Sequence, residues 1–197
     1  MRTLFLLTLL TLGTLHAADE VLLKDDFATE KHATRRAMRG DWQYQDGAAT
    51  CTQDDELYKK HKDHGPILFY DLEHQDAVVR FSFKAEAAKT VVFTANSAEG
   101  HVFRFVLSER GTSIRAFPPE EKEHKSIALA NEKSPVLAAG AWVPVEVRMT
   151  GAKAVVKIGT DFTGSYEHAS LARAKSNLSI GFSFGTVSVK DLVVTRP

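Results

Sequence analysis

Two histidines, an aspartate and a glycine fall within five consecutive positions, His61-Lys62-Asp63-His64-Gly65. Imidazole exchanges protons near neutral pH and ligates transition metals through a ring nitrogen. His61, Asp63 and His64 are therefore candidate ligands for a divalent metal, with a further ligand from His74, His101 or His124. His64 alone is also a candidate general acid or base beside a glycosidic oxygen. A second set, Arg80, Thr94 and Arg104, lies in alternating apolar runs, on the side away from their phenylalanines. Two guanidiniums on one sheet face can hold a carboxylate, a phosphate or sugar hydroxyls through paired donors. The competing expectation is an ordinary solvated face with cross-strand partners such as Glu146.

Other residues invite chemistry less strongly. Asp25, Asp26, Asp54 and Asp55 offer hard oxygens to calcium, but no twelve-residue calcium loop is present, and capping is the simpler role. Trp42 and Trp142 present faces that suit sugar rings, although each opens an alternating strand and is expected to be buried. Cys51, the sole cysteine, reads as a small buried side chain rather than a nucleophile.

The elements that must position these groups are strands. In Ala77–Lys84, Ala77, Val79, Phe81 and Phe83 share one face, and Val78, Arg80, Ser82 and Lys84 the other. Runs at 91–95 and 101–107 follow after hairpin-length links, which predicts an antiparallel meander over 77–107. Further strands are expected at 21–23, 40–47 (ending in the Asp46-Gly47 turn), 48–52, 66–70, 111–117, 142–150, 152–158, 178–184 and 187–195. Residues 28–39 read as a short helix or loop and 54–65 as a long exposed loop. Residues 120–135 read as a loop with one docked strand, and 161–176 as a link with a helical turn near 170–174. About a dozen short strands without a long helical period predict an all-β, two-sheet antiparallel sandwich.

The totals narrow the function classes. Arg2, the apolar run Leu4–Leu12 and the small residues Ala17-Ala18 form a secretory signal peptide over 1–18, leaving 19–197 as a single exported β-sandwich domain. No later stretch is long and apolar enough for a membrane-spanning helix. The 25 basic and 25 acidic side chains cancel, which argues against a nucleic-acid partner held by bulk charge. No cofactor is predicted, apart from the divalent metal that the histidine loop would accommodate.

Several motifs recur in a recognisable order. They are Asp25-Asp26-Phe27, Trp42 before Asp46-Gly47, Asp63-His64-Gly65 before a strand, AVVRFSF at 77–83, Ala141-Trp142-Val143-Pro144-Val145-Glu146-Val147, and the closing Val187–Val194. In this order the mature chain resembles the concanavalin A-like jelly-roll domains of the 3-keto-disaccharide hydrolase-like family, often labelled family 16 glycoside hydrolases. The resemblance implies a jelly roll with a concave sugar-binding face and singles out His64. It departs from family-16 glucanases in lacking their Glu-x-Asp-x-x-Glu strand motif. Glu73-His74-Gln75-Asp76 has the wrong spacing, so retaining double displacement lacks its acid and nucleophile. Three functions follow: a glycan-binding module using Arg80, Thr94, Arg104 and His64; a hydrolase or lyase of 3-keto-disaccharides with His64 catalytic; or a structural or protein-interaction sandwich.

Overall fold

A computed structural model describes residues 20–119 and 126–197. The expected signal peptide at 1–18 and His124 lie outside the described residues. The strands are β1 (Val21–Asp25), β2 (Arg35–Met38), β3 (Gln43–Gln45), β4 (Ala48–Thr52), β5 (Ile67–His74), β6 (Ala77–Glu86), β7 (Thr90–Ser97), β8 (Gly100–Ser108), β9 (Gly111–Ala116) and β10 (Ile127–Glu132). β11 (Val143–Thr150), β12 (Lys153–Ile158), β13 (Phe162–Glu167), β14 (Lys175–Ser183) and β15 (Thr186–Thr195) complete the set. One helix, α1 (Asp55–Lys60), precedes β5, and a 3-10 turn covers Ala169–Ala172.

All described pairings are antiparallel and form two sheets. The eight-stranded sheet runs β13-β12-β11-β6-β15-β4-β3, with β1 also on β15; the seven-stranded sheet runs β10-β9-β8-β7-β14-β5-β2. Alternation decides which side chains meet between them. Phe81 and Phe83 point inward from β6, and Phe93, Phe103 and Phe105 from β7 and β8; all five are buried. Phe93 joins the layers, stacking 6.1 Å from Phe81 across the interior and 5.7 Å from Phe105 within its own sheet. In β14 the buried Leu178, Ile180 and Phe182 alternate with Ser179, Gly181 and Ser183, so one face packs and the other stays shallow.

Five expectations are corrected here. The 77–107 stretch is not one meander: β6 sits between β11 and β15, whereas β7 and β8 form a hairpin in the opposite sheet. Alternation shows which residues share a face; it does not show which strand is the hydrogen-bonded neighbour. Residues 55–60 are helical rather than loop. Asp54 caps the helix by accepting from the Leu57 N–H at 2.8 Å, with Asp55 and Glu56 in the first turn and Lys59 and Lys60 in the last. That dense charge complements the helix dipole. Arg35–Met38 is an edge strand on β5, and Phe162–Glu167 a strand on β12, where a helix or loop and a link were expected. Trp42 is buried as expected, but Trp142 is 38% exposed, lying against Lys84 and Lys190 on the eight-stranded sheet.

A buried polar anchor holds the N-terminal strand. Asp25 pairs with Arg35 Nη1, accepts from the Tyr70 hydroxyl at 2.8 Å and from the Phe27 N–H at 2.9 Å. Arg35 also donates to the carbonyls of Thr29 and Glu30 and lies 4.1 Å over the Tyr44 ring. Burial, reinforced by Asp25, holds the Tyr70 hydroxyl protonated far above the usual tyrosine range. Asp25 is thus committed to structure, as are Asp26, which turns the chain at Ala28, and Asp54. Cys51 is buried as expected, and burial pushes its thiol up to about 12.

Candidate functional site: a cleft on the seven-stranded sheet

The outer face of the seven-stranded sheet carries a cleft of about 420 Å³, within the size range of small-molecule sites. Its floor follows from strand register. Arg104 on β8 pairs with Thr94 on β7, Thr94 with Ser179 on β14, and Ser179 with Phe69 on β5. These four side chains form one transverse row, about 14 Å long at the usual strand spacing. The parallel row through Val92, Gly181 and Ile67 is apolar and shallow. Tyr58 of α1 and Asp63-His64-Gly65-Pro66 form the wall beyond β5.

Glycine explains how that wall approaches. A Cβ at Gly65 would land on the carbonyl oxygen of Phe182, so the loop lies directly against β14. Lys62 and Asp63 adopt positive φ (55° and 61°), which turns the chain sharply after the helix. His64 Nδ1 lies 3.0 and 2.8 Å from the carbonyl oxygens of His61 and Lys62. A ring nitrogen facing only carbonyls carries the hydrogen, so in the neutral imidazole Nε2 is the acceptor. His64 is exposed at the cleft, with its free nitrogen available to a ligand.

Opposite this wall, Arg104 is held by a directed network. Its Nε donates to Thr94 Oγ1 at 3.1 Å and its Nη2 to His101 Nε2 at 2.8 Å. Because Nε2 accepts, His101 carries hydrogen on Nδ1, which donates to Asn96 Oδ1 at 2.6 Å. Asn96 then donates to Asn177 Oδ1 at 2.7 Å. Phe117 packs against both His101 and Arg104. Burial first, and the neighbouring Arg115 charge second, push the Arg104 pKa below the usual arginine value.

The structure sorts the expected site residues. Thr94, Arg104 and His64 line one cleft. Arg80 does not: it lies on the outer face of the other sheet, bonded to Glu146 at 2.7 Å, and Lys157 reaches Glu146 at 3.1 Å. Arg80 has its cross-strand partner and shares no face with Thr94 and Arg104, because β6 belongs to the eight-stranded sheet. Asp63 lines the cleft, whereas His61 caps α1 and does not. His74 lies in a separate hollow with Lys175, and His101 is engaged with Asn96 and Arg104. Among the described residues no three His, Cys, Asp or Glu side chains are grouped to hold a metal ion. Asp63 is the only carboxylate among the described residues lining the cleft. Retaining glycosidases need two, about 5–5.5 Å apart.

Sequence reasoning missed Asn96, Ser179, Phe69 and Tyr58 as lining residues. Alternation alone could have found the first three, once β5, β7 and β14 were known to be neighbours.

No family model and no curated protein sequence matches the chain. Solved structures do. The chain is similar to a carbohydrate-binding module, CBM66, from Bacillus subtilis (8% identity, 82% of this chain and 95% of that one, TM-score 0.60). It is also similar to a β-glucanase of Bacillus licheniformis (6% identity, 89% and 97%, TM-score 0.61). A third is an endo-β-1,4-glucuronan lyase of the fungus Trichoderma reesei (9% identity, 90% and 96%, TM-score 0.59). At such identities the likeness establishes the fold, a concanavalin A-like jelly-roll sandwich.

Proposed function

We propose that the chain, exported after loss of its leader, binds carbohydrate in the cleft on the seven-stranded sheet. The observation that carries this reading is the row Arg104, Thr94, Ser179 and Phe69. It combines a charged donor, two hydroxyls and an aromatic ring along a length that fits two to three sugar units, at about 5 Å each. Hydroxyl and guanidinium groups pair with sugar hydroxyls, and ring faces suit apolar sugar patches. The fold supports the reading without selecting it, because jelly rolls host both binding modules and enzymes.

A second reading is favoured by the position of His64. With Nδ1 turned to backbone carbonyls, the neutral ring directs Nε2 as a base for the acidic proton beside the keto group of a 3-keto-disaccharide. Arg104 across the cleft would stabilise the resulting enolate. Incubating mature protein with ordinary and 3-keto disaccharides and longer glycans, with and without chelator, separates the readings. Binding predicts no product and a melting temperature raised by about 5–10 °C at a hundredfold excess over Kd. Product from keto sugars alone would replace the binding module with the enzyme. Silence in both readouts would contradict each and leave a structural or protein-interaction sandwich.

A further inference from the structure

The β8 end of the cleft floor borders an unusual charge arrangement. Arg104 on β8 stands directly opposite Arg115 on β9, in cross-strand register. Like charges so placed destabilise a sheet unless something neutralises them. The commonest remedy is a carboxylate between them, and here no described carboxylate pairs with either. Arg115 Nε instead donates to Ser126 Oγ at 2.6 Å, and its Nη2 lies 3.5 Å from the Ser126 carbonyl. Arg104 bonds to Thr94 Oγ1 and His101 Nε2, neither of which carries a negative charge. These contacts orient the guanidiniums and leave their charge in place. They also leave donors. Of five N–H hydrogens on a guanidinium, Arg104 uses two, which leaves both at Nη1 and one at Nη2.

Three other outward arginines are each matched to a carboxylate. Arg36 forms a two-pronged pair with Asp71 at 2.8 Å on both prongs, Arg80 is bonded to Glu146, and Arg196 to Glu20. The pair, without a carboxylate partner among the described residues, lies at the end of the transverse row, where a sugar on Thr94 and Ser179 would present its next substituent. We propose that Arg104 and Arg115 form the acceptor for the anionic group of an acidic glycan, a uronic carboxylate or a sulfate ester. This rests on the reading that the cleft binds carbohydrate, and names its class. An anion there would offset two cations at once, and Arg104 would arrive already oriented by Thr94 and His101, so little ordering is required on binding.

The test is a set of matched oligosaccharides titrated calorimetrically: a hexuronate oligomer, its carboxyl-reduced neutral form, a sulfated oligomer and its desulfated form. At least one acidic member should bind about tenfold or more tightly than its neutral match, as charged hydrogen bonds imply. The preferred member identifies the anionic group. Arg104→Gln and Arg115→Gln should each shrink the acidic-to-neutral ratio, and the double variant should bring it to about one. If the variants fail to fold, the wild-type protein still decides: affinity for the acidic member must fall with rising salt more steeply than that for its neutral match. Equal binding of acidic and neutral forms would overturn the acidic class while leaving carbohydrate binding intact. Binding of neither would overturn both.

Discussion

Asp25→Ala is expected to destabilise the protein by about 3–5 kcal/mol, the loss typical of breaking a buried ion pair from one side. The substitution removes the counter-charge of Arg35, whose side chain is 1% exposed, and the acceptor of the Tyr70 hydroxyl. Arg35 would remain surrounded by the Phe27 and Tyr44 rings, which attract a cation but do not neutralise it. The size of the effect therefore comes from the stranded charge rather than from the lost bond. Replacing both partners together, Asp25→Leu with Arg35→Met, should recover much of the loss, because no charge is then left buried. Urea unfolding at constant slope measures both. A loss below about 1 kcal/mol for Asp25→Ala would mean that the pair is reached by water and does not anchor β1.

Gly65→Ala should separate the cleft from the fold. The new methyl carbon would lie 2.0 Å from the Phe182 carbonyl oxygen, a backbone atom that cannot swing away. Strand β14 is fixed on both sides by β5 and β7, so the loop is the part that moves. We expect a stability cost of about 1–3 kcal/mol, that of overpacking. Glycan affinity should fall more than tenfold, since Asp63, His64 and Pro66 leave the wall together. Affinity equal to that of the wild type would show that the ligand does not use this wall.

Most of the sandwich was legible because one-sided burial writes itself as alternation. Phe81 and Phe83, Phe103 and Phe105, and Leu178, Ile180 and Phe182 are all inward where the period-2 pattern put them. Helix α1 was missed for an opposite reason: it is a single capped turn and a half with no buried residue, so no apolar stripe marked it. Its signature was the order of its charges, acidic before basic, after Asp54. The site was half legible. Thr94 and Arg104 could be assigned outward from their own strands. Their neighbours could not, because the partners of a strand are chosen by chain crossings between sheets. Arg80 shows the consequence: its alternation is the same as that of Arg104, but β6 crosses to the other layer, and the second guanidinium beside Arg104 is Arg115.

The most direct test of cleft binding is Val92→Trp, with affinity measured for whichever glycan the wild-type protein takes up. Val92 is half-buried on the outward face of β7, in the apolar row of the cleft floor, and its side chain does not enter the core. A tryptophan there suits a strand and fills the cleft from below. If the cleft is the binding site, the melting temperature without ligand should stay within a few degrees of wild type while affinity drops by more than tenfold. Undiminished affinity in a folded Val92→Trp protein would place the ligand elsewhere and contradict the account.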